Sequence, residues 1–452
     1  MKHIHFRFLS LLILTCVILL SLVLASCSDD QSAESSKTQD TTAARPQDTL
    51  TTTAPPAIET TTVAETTKTP VTTEPPVEVV KSDFEIYQSN SITPSSCNYA
   101  LKSADGKPVQ QTFRGIYKIQ EFGELEYKFY FSNNVDSTFS NGSHSYRNMP
   151  TESYKIISAS VGTTKSSMGH GKISNLKTLT FDGKRERDVE AGEMFWSDAI
   201  TLNVSDGYYL VFEWTVEYTV IAATNSENAS CLLYDYSTGR LSTAQSAPMP
   251  ALIGAKRENA LRVGFIGDSI TMGIGTGAGK HLFWGAKIAE KAGTDISFWN
   301  LGVGFARAND AVNSPAWLEK AKNNDVIVIC FGVNDIEGGA YNISGQRTAK
   351  QVADDINTIA ATCKDAGCEV IIFSTPPFTY SSAAKVKIWQ DLTLKLKELA
   401  EDKGYDFFDF AACLGKPDDP ATPAYGGHPN AEGCEVVANA FMESGLLDKY
   451  LK

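Results

Sequence analysis

The spacing of apolar residues changes three times along the chain and divides it into four stretches. A largely apolar run from Phe8 to Ala25 comes first. From Ser28 to about Val80, Thr, Ser, Pro, Ala and Glu dominate with almost no aromatic residue, a composition that cannot bury enough surface to fold. Residues 28–82 are therefore expected to form an extended linker. Between residues 83 and 250, short runs rich in Tyr, Phe, Val and Thr alternate with Gly, Asn, Asp and Ser turns. Glu124 to Phe131 and Phe212 to Val220 carry the period-two alternation of half-buried strands, and no stretch offers a long helical period. This segment predicts an all-β sandwich or jelly-roll.

After Pro248 the pattern switches. Arg262 to Ile266, Asp325 to Phe331 and Glu369 to Phe373 are continuous apolar runs, as in strands covered on both faces. Trp284 to Ala292, Thr348 to Asp365 and Ala384 to Lys403 read as helices between them. Strands alternating with helices predict an α/β fold with a parallel sheet over residues 251–452. In open sheets of this kind the functional groups gather beyond the carboxyl ends of the strands.

Length and charge narrow the partners. A chain of 452 residues suits two domains and a tail. The formal charge of −13, with Lys and Arg scattered, argues against a nucleic-acid footprint. Lys2 and Arg7 precede the first apolar run, and Leu24-Ala25-Ser26-Cys27 ends it. By length alone the run could be a membrane span. The small residues before the cysteine are similar to the lipobox of bacterial lipoproteins, which implies a signal peptide over residues 1–27 and a lipid on Cys27. The chain is then expected at the extracellular face of the bacterial membrane, held by its lipid anchor, or secreted. Beyond Cys16 and Cys27, seven cysteines remain, so an exported chain keeps at least one unpaired thiol. Cys363 and Cys368 have no metal-site spacing and no histidine pair beside them, and no metal or organic cofactor is expected.

Three short segments lie where a parallel sheet would expose its strand ends. Gly267-Asp268-Ser269-Ile270-Thr271 follows the first strand; a serine at such a turn can present its hydroxyl over the sheet edge, although Asp and Ser are also favoured helix caps. Gly332-Val333-Asn334-Asp335 follows a second strand, and an asparagine amide there could donate to an oxyanion, or simply make a turn. His428-Pro429-Asn430 stands after the last strand candidate, around Phe407 to Phe410. His144 and His170 belong to the β segment and His281 borders a glycine-rich loop, which leaves His428 as the base best positioned for a serine.

In this order the three segments resemble the SGNH (GDSL-like) hydrolases, a flavodoxin-like esterase and lipase superfamily. The resemblance spans roughly Leu261 to Lys452. It implies Ser269 as nucleophile and His428 as base, with an oxyanion hole from the N–H groups of Ser269 and Gly304 and the Asn334 amide. Gly304 comes from the block Asn300-Leu301-Gly302-Val303-Gly304, and Phe305 would supply the N–H in a shifted register. Members of the superfamily usually carry Asp three residues before the histidine, where this chain has Tyr425. Asp418 or Asp419 could orient His428 instead, or a main-chain carbonyl could. A β-sandwich ahead of such a domain is similar to carbohydrate esterase family 2, which implies removal of acetyl groups from polysaccharides. A lipase or lysophospholipase would share the same residues, and a non-catalytic glycan-binding lipoprotein is the third reading. Asp268 and Asp335 are expected to brace loops.

Gly273 to Lys280 invites a phosphate-loop reading that fails, because Ile274 and His281 stand where that pattern requires Gly and Ser or Thr. Trp284, Trp299 and Trp317, like Trp196, Trp214, Tyr208 and Tyr209 of the β segment, could stack on sugar rings, but their apolar neighbours favour the core.

Overall fold

The computed structural model describes residues 81–451 except 93–98, 137–148, 169–171, 226–230, 237–238, 259–260, 339–345, 417–418, 421–422 and 426. The leader, Cys27, nearly all of the linker, Cys97, His144, His170 and Asp418 lie outside the described residues.

Alternating side chains build two antiparallel sheets. Strand β1 (Val109–Tyr117), β2 (Gly123–Ser132), β3 (Tyr154–Thr164), β4 (Tyr209–Tyr218) and β5 (Leu252–Lys256) are their main members. β4 pairs with β1 on one side and β3 on the other in a seven-stranded sheet, and β2 pairs with β5 in a five-stranded one. Phe129 and Phe131 of β2 meet Phe212 and Trp214 of β4, with ring centroids 5.4 Å apart for Phe129–Phe212 and 5.1 Å for Phe131–Trp214. The two sheets thus share one buried core. The expected strand from Phe212 to Val220 is interrupted at Thr219, where the chain leaves β1 and Val220–Asn225 pairs with Tyr99–Lys102 instead. β5 lies past residue 250, where the change of texture suggested a boundary.

The continuous apolar runs become parallel strands β6 (Leu261–Gly267), β7 (Ile296–Gly302), β8 (Val326–Cys330), β9 (Glu369–Phe373) and β10 (Asp406–Phe408). Their spatial order is β7-β6-β8-β9-β10, the flavodoxin-like arrangement. Helices α1 (Ser269–Met272), α2 (Trp284–Ala292), α3 (Val333–Glu337), α4 (Ala349–Asp365), α5 (Ala383–Lys403) and α6 (Ala431–Glu443) follow the strands. Thr348 and Gln351 cap α4 reciprocally: the Gln351 N–H donates to Thr348 Oγ1 at 3.2 Å and the Thr348 N–H to Gln351 Oε1 at 2.9 Å. The six described cysteines carry free thiols.

β7 is an edge strand, yet all seven of its residues are buried. The antiparallel part covers it: the Trp299 indole donates to the Ala251 carbonyl at 2.8 Å, and its ring packs on Phe84 and Tyr130. This protects the kind of edge that would otherwise pair with another chain. Two cations cross the same seam. Arg257, just past β5, donates to Glu121 at 2.8 Å and to the Thr294 carbonyl at 2.9 Å. Lys320, on the helix Pro315–Ala321, pairs with Asp136, both side chains being fully buried.

Candidate active site

The three strand-end segments meet beyond the carboxyl edge of the sheet. β6 ends at Gly267, and the chain turns at once into α1 with Ser269 as its first residue. Asp268 caps that helix, its Oδ1 accepting from the Ile270 N–H at 2.9 Å. The turn is tight enough to exclude a side chain at Gly267, where a Cβ would lie 2.1 Å from Thr271 Oγ1 and 2.4 Å from the Cys330 carbonyl oxygen. At Gly302 the end of β7 approaches from the other side, and a Cβ there would lie 2.3 Å from the Met272 nitrogen.

His428 arrives from beyond β10. The Ser269 Oγ and His428 Nε2 lie 2.9 Å apart, within hydrogen-bond reach, and both residues are buried. Phe378, in the segment after β9, stands edge-on to the imidazole with ring centroids 5.3 Å apart. Gly427 lets that segment close in, since a Cβ there would lie 2.5 Å from the Phe378 Cα. On the far side Asn430 caps α6 through the Gly433 N–H at 2.9 Å. The histidine is therefore held between a helix entry and an aromatic ring. Asp418 is outside the described residues, and of Asp419 only the backbone is described, in the short strand Asp419–Pro420. Tyr425 is the cross-strand partner of His428 in an antiparallel pair.

Asn334 lies in the first turn of α3, and its Nδ2 donates to the Ala306 carbonyl at 3.0 Å. That bond uses one amide hydrogen and fixes the direction of the other. Asp335 reaches the same loop, its Oδ2 accepting from the Ala308 N–H at 3.1 Å. Burial pushes the Asp268 and Asp335 carboxyls up to about 7 each, with the charge of Asp335 adding to the rise at Asp268 and that of Asp310 to the rise at Asp335. Both acids brace loops, as expected.

The loop after β7 is pinned at both ends, by the Val303 N–H on the Gly267 carbonyl at 3.0 Å and by Asn334 on Ala306. Its left-handed residue is Phe305 (φ +62°), whereas Gly304 is not among the described glycines at positive φ. For a residue with a Cβ this conformation costs roughly 1–2 kcal/mol, so a backbone position that suits a glycine is held by Phe305. Sequence reasoning treated Phe305 as a backbone donor and missed its side chain, together with Phe378.

The other candidates lie elsewhere. Trp284, Trp299 and Trp317 are buried, each with its indole N–H on a main-chain carbonyl, of Ile270, Ala251 and Leu301 respectively. Trp214 is buried in the β core. His281 lines a cavity of about 220 Å³ with Ile92, Lys118 and Ala286, and burial, assisted by Lys118, pushes its imidazole down to about 3.

No curated protein matches the chain. Among solved structures it is similar to a carbohydrate acetylesterase from Sinorhizobium meliloti (19% identity, 41% of this chain and 99% of that one, TM-score 0.34). It is also similar to an aryl esterase of M. smegmatis (19%, 42% and 100%, TM-score 0.35). A third is a variant of a Geobacillus acetyl-xylooligosaccharide esterase (20%, 42% and 95%, TM-score 0.33). Residues 265–436 match the model of the GDSL-like lipase/acylhydrolase family, and they contain Ser269, Asn334 and His428, so that the α/β part of this chain is a GDSL-type (SGNH) hydrolase domain.

Proposed function

We propose that the protein removes acetyl groups from O-acetylated polysaccharide by acyl transfer to Ser269. The observation that carries this reading is the 2.9 Å approach of Ser269 Oγ and His428 Nε2 beyond the carboxyl edge of the parallel sheet. His428 takes the hydroxyl proton as Ser269 Oγ bonds to the ester carbonyl carbon. The carbonyl oxygen becomes an oxyanion, held by the Ser269 N–H, the N–H groups of the Gly304-Phe305 turn and the Asn334 side chain. On collapse the C–O bond to the sugar breaks, and His428 gives its proton to the leaving oxygen. Water then attacks the acetyl-serine, losing a proton to His428, and acetate leaves as the serine regains its hydrogen. No metal or organic cofactor takes part in this sequence. With Tyr425 where the family's acid usually stands, we assign the orientation of His428 to a main-chain acceptor, giving a Ser–His dyad. The all-β part, read as a jelly-roll, would sit beside this centre, and residues 1–82 would carry the lipid on Cys27 and the spacer that hold the enzyme outside the cell.

The test is acetate-to-octanoate nitrophenyl ester hydrolysis by the full chain, with Ser269→Ala, Asp418→Asn and Asp419→Asn beside it. We expect activity that falls steeply with acyl length, a loss on the order of 10⁴ or more for Ser269→Ala, and losses under about tenfold for the two aspartate variants. Full activity in Ser269→Ala would end the serine mechanism. A preference for long acyl chains would move the substrate to lipids, and an inert wild type would favour a glycan-binding lipoprotein.

A further inference from the structure

Phe305 combines two features that rarely coincide. Its backbone is left-handed, a conformation an aromatic residue avoids, and its side chain is 36% exposed. Among the described aromatic side chains of the α/β part it is the only exposed one. The loop cannot relax around it. Val303 is tied to Gly267, Ala306 donates back to Val303 at 3.2 Å, Asn334 holds the Ala306 carbonyl, and Asp335 holds the Ala308 N–H. An outlier that its surroundings enforce this fully calls for a functional account.

Sheet order supplies the rest of the geometry. Along the carboxyl edge Phe305 follows β7, Ser269 follows the neighbouring β6, Asn334 follows β8, and Phe378 follows β9. β7 and β9 are three strand spacings apart, roughly 14 Å, so the two phenylalanines stand on opposite flanks of the serine. Phe378 already packs against His428. Phe305 stands on the other flank, exposed between Gly304 and the buried Ala306. A single exposed flat ring suits a ligand with one apolar face and polar edges, and does not suit an acyl chain, which needs a longer apolar groove.

We propose that Phe305 is the floor of a sugar subsite at the leaving-group side of Ser269, on which the C–H face of an acetylated pyranose stacks. This rests on the deacetylase reading above and deepens it by assigning the side chain that selects a cyclic alcohol. The left-handed φ is what lifts the ring out of the loop and aims it at the mouth of the site, while the same loop keeps its N–H groups for the oxyanion.

The full chain is assayed for acetate release from acetylated xylo-oligosaccharides and from ethyl acetate, whose leaving group has no ring. Phe305→Gly removes the ring and relieves the backbone, so its melting temperature should not fall. Its ratio of kcat/KM, sugar ester over ethyl acetate, should drop about five- to tenfold, mostly through KM, and Phe305→Tyr should restore most of it. An unchanged ratio in Phe305→Gly, with the wild type active on both esters, overturns the subsite alone. Wild-type activity on ethyl acetate with none on the acetylated sugar overturns the deacetylase reading and the subsite with it.

Discussion

The active-site edge and the seam between the two parts both bury charged groups, and they treat them in opposite ways. At the seam Lys320 is matched to Asp136, which also accepts from Ser314 Oγ at 3.3 Å, and Arg257 is spread over a carboxylate and main-chain carbonyls. At the active site Asp268 and Asp335 have no comparable partner: each caps a backbone N–H with one oxygen, and the nearest cation to Asp335, Arg347, stays 3.9 Å away. The seam therefore uses full pairing to fix one orientation of the two parts. The active site instead leaves one oxygen of each buried carboxyl without a hydrogen-bond partner and carries a left-handed phenylalanine. Both regions carry the cost of buried charge, and they differ in how fully it is paired.

Breaking the seam should have the largest effect. Lys320→Met leaves Asp136 buried and unpaired, and should lower unfolding free energy by about 3–5 kcal/mol, whereas Lys320→Met with Asp136→Leu should recover most of it. Denaturant midpoints of the two variants decide this; a single variant as stable as the double would remove the contrast. Next comes the active-site edge. Asn334→Ala should lower kcat by about 10²–10³ with little change in KM, because the amide serves charge that exists only during the reaction. A KM effect alone would make Asn334 a ground-state contact.

A third variant sharpens the comparison through pH. The unfolded chain releases the Asp335 proton near pH 4, at about the ordinary value, while burial holds it in the folded chain up to about 7. Between these values the folded state binds more protons than the unfolded one, so this residue makes stability fall as pH rises from about 4 to 7. Asp335→Asn should flatten that part of the melting-temperature profile. A steeper fall in the variant would reverse the sign assigned to this carboxyl.

The positions of Ser269 and Asn334 were legible because each follows a strand whose apolar run announces it, whereas His428 comes some twenty residues after the short strand β10. Strands buried on both faces need no partner information to be read. The β segment was legible in type but not in detail: the break at Thr219 and the late strand β5 depend on which neighbour each segment finds, not on local pattern. The same is true of Phe305 and Phe378. A left-handed φ on phenylalanine contradicts its propensity, and the loop that carries it is hydrogen-bonded to Gly267, Asn334 and Asp335, all distant in sequence. Trp299 is core, as its apolar neighbours suggested, because β5 and the segment around Phe84 cover β7.

The short passage from β5 to β6 bears on how such a protein is inherited. Only the few residues between Lys256 and Leu261 separate the last strand of one part from the first strand of the other. Gene fragments cut there would keep β2 and β5 together in one piece but uncover Trp299 in the other. Recombination that shuffles the hydrolase alone between proteins would deliver a sticky, aggregation-prone product. An engineer who wants the hydrolase should therefore transplant both halves.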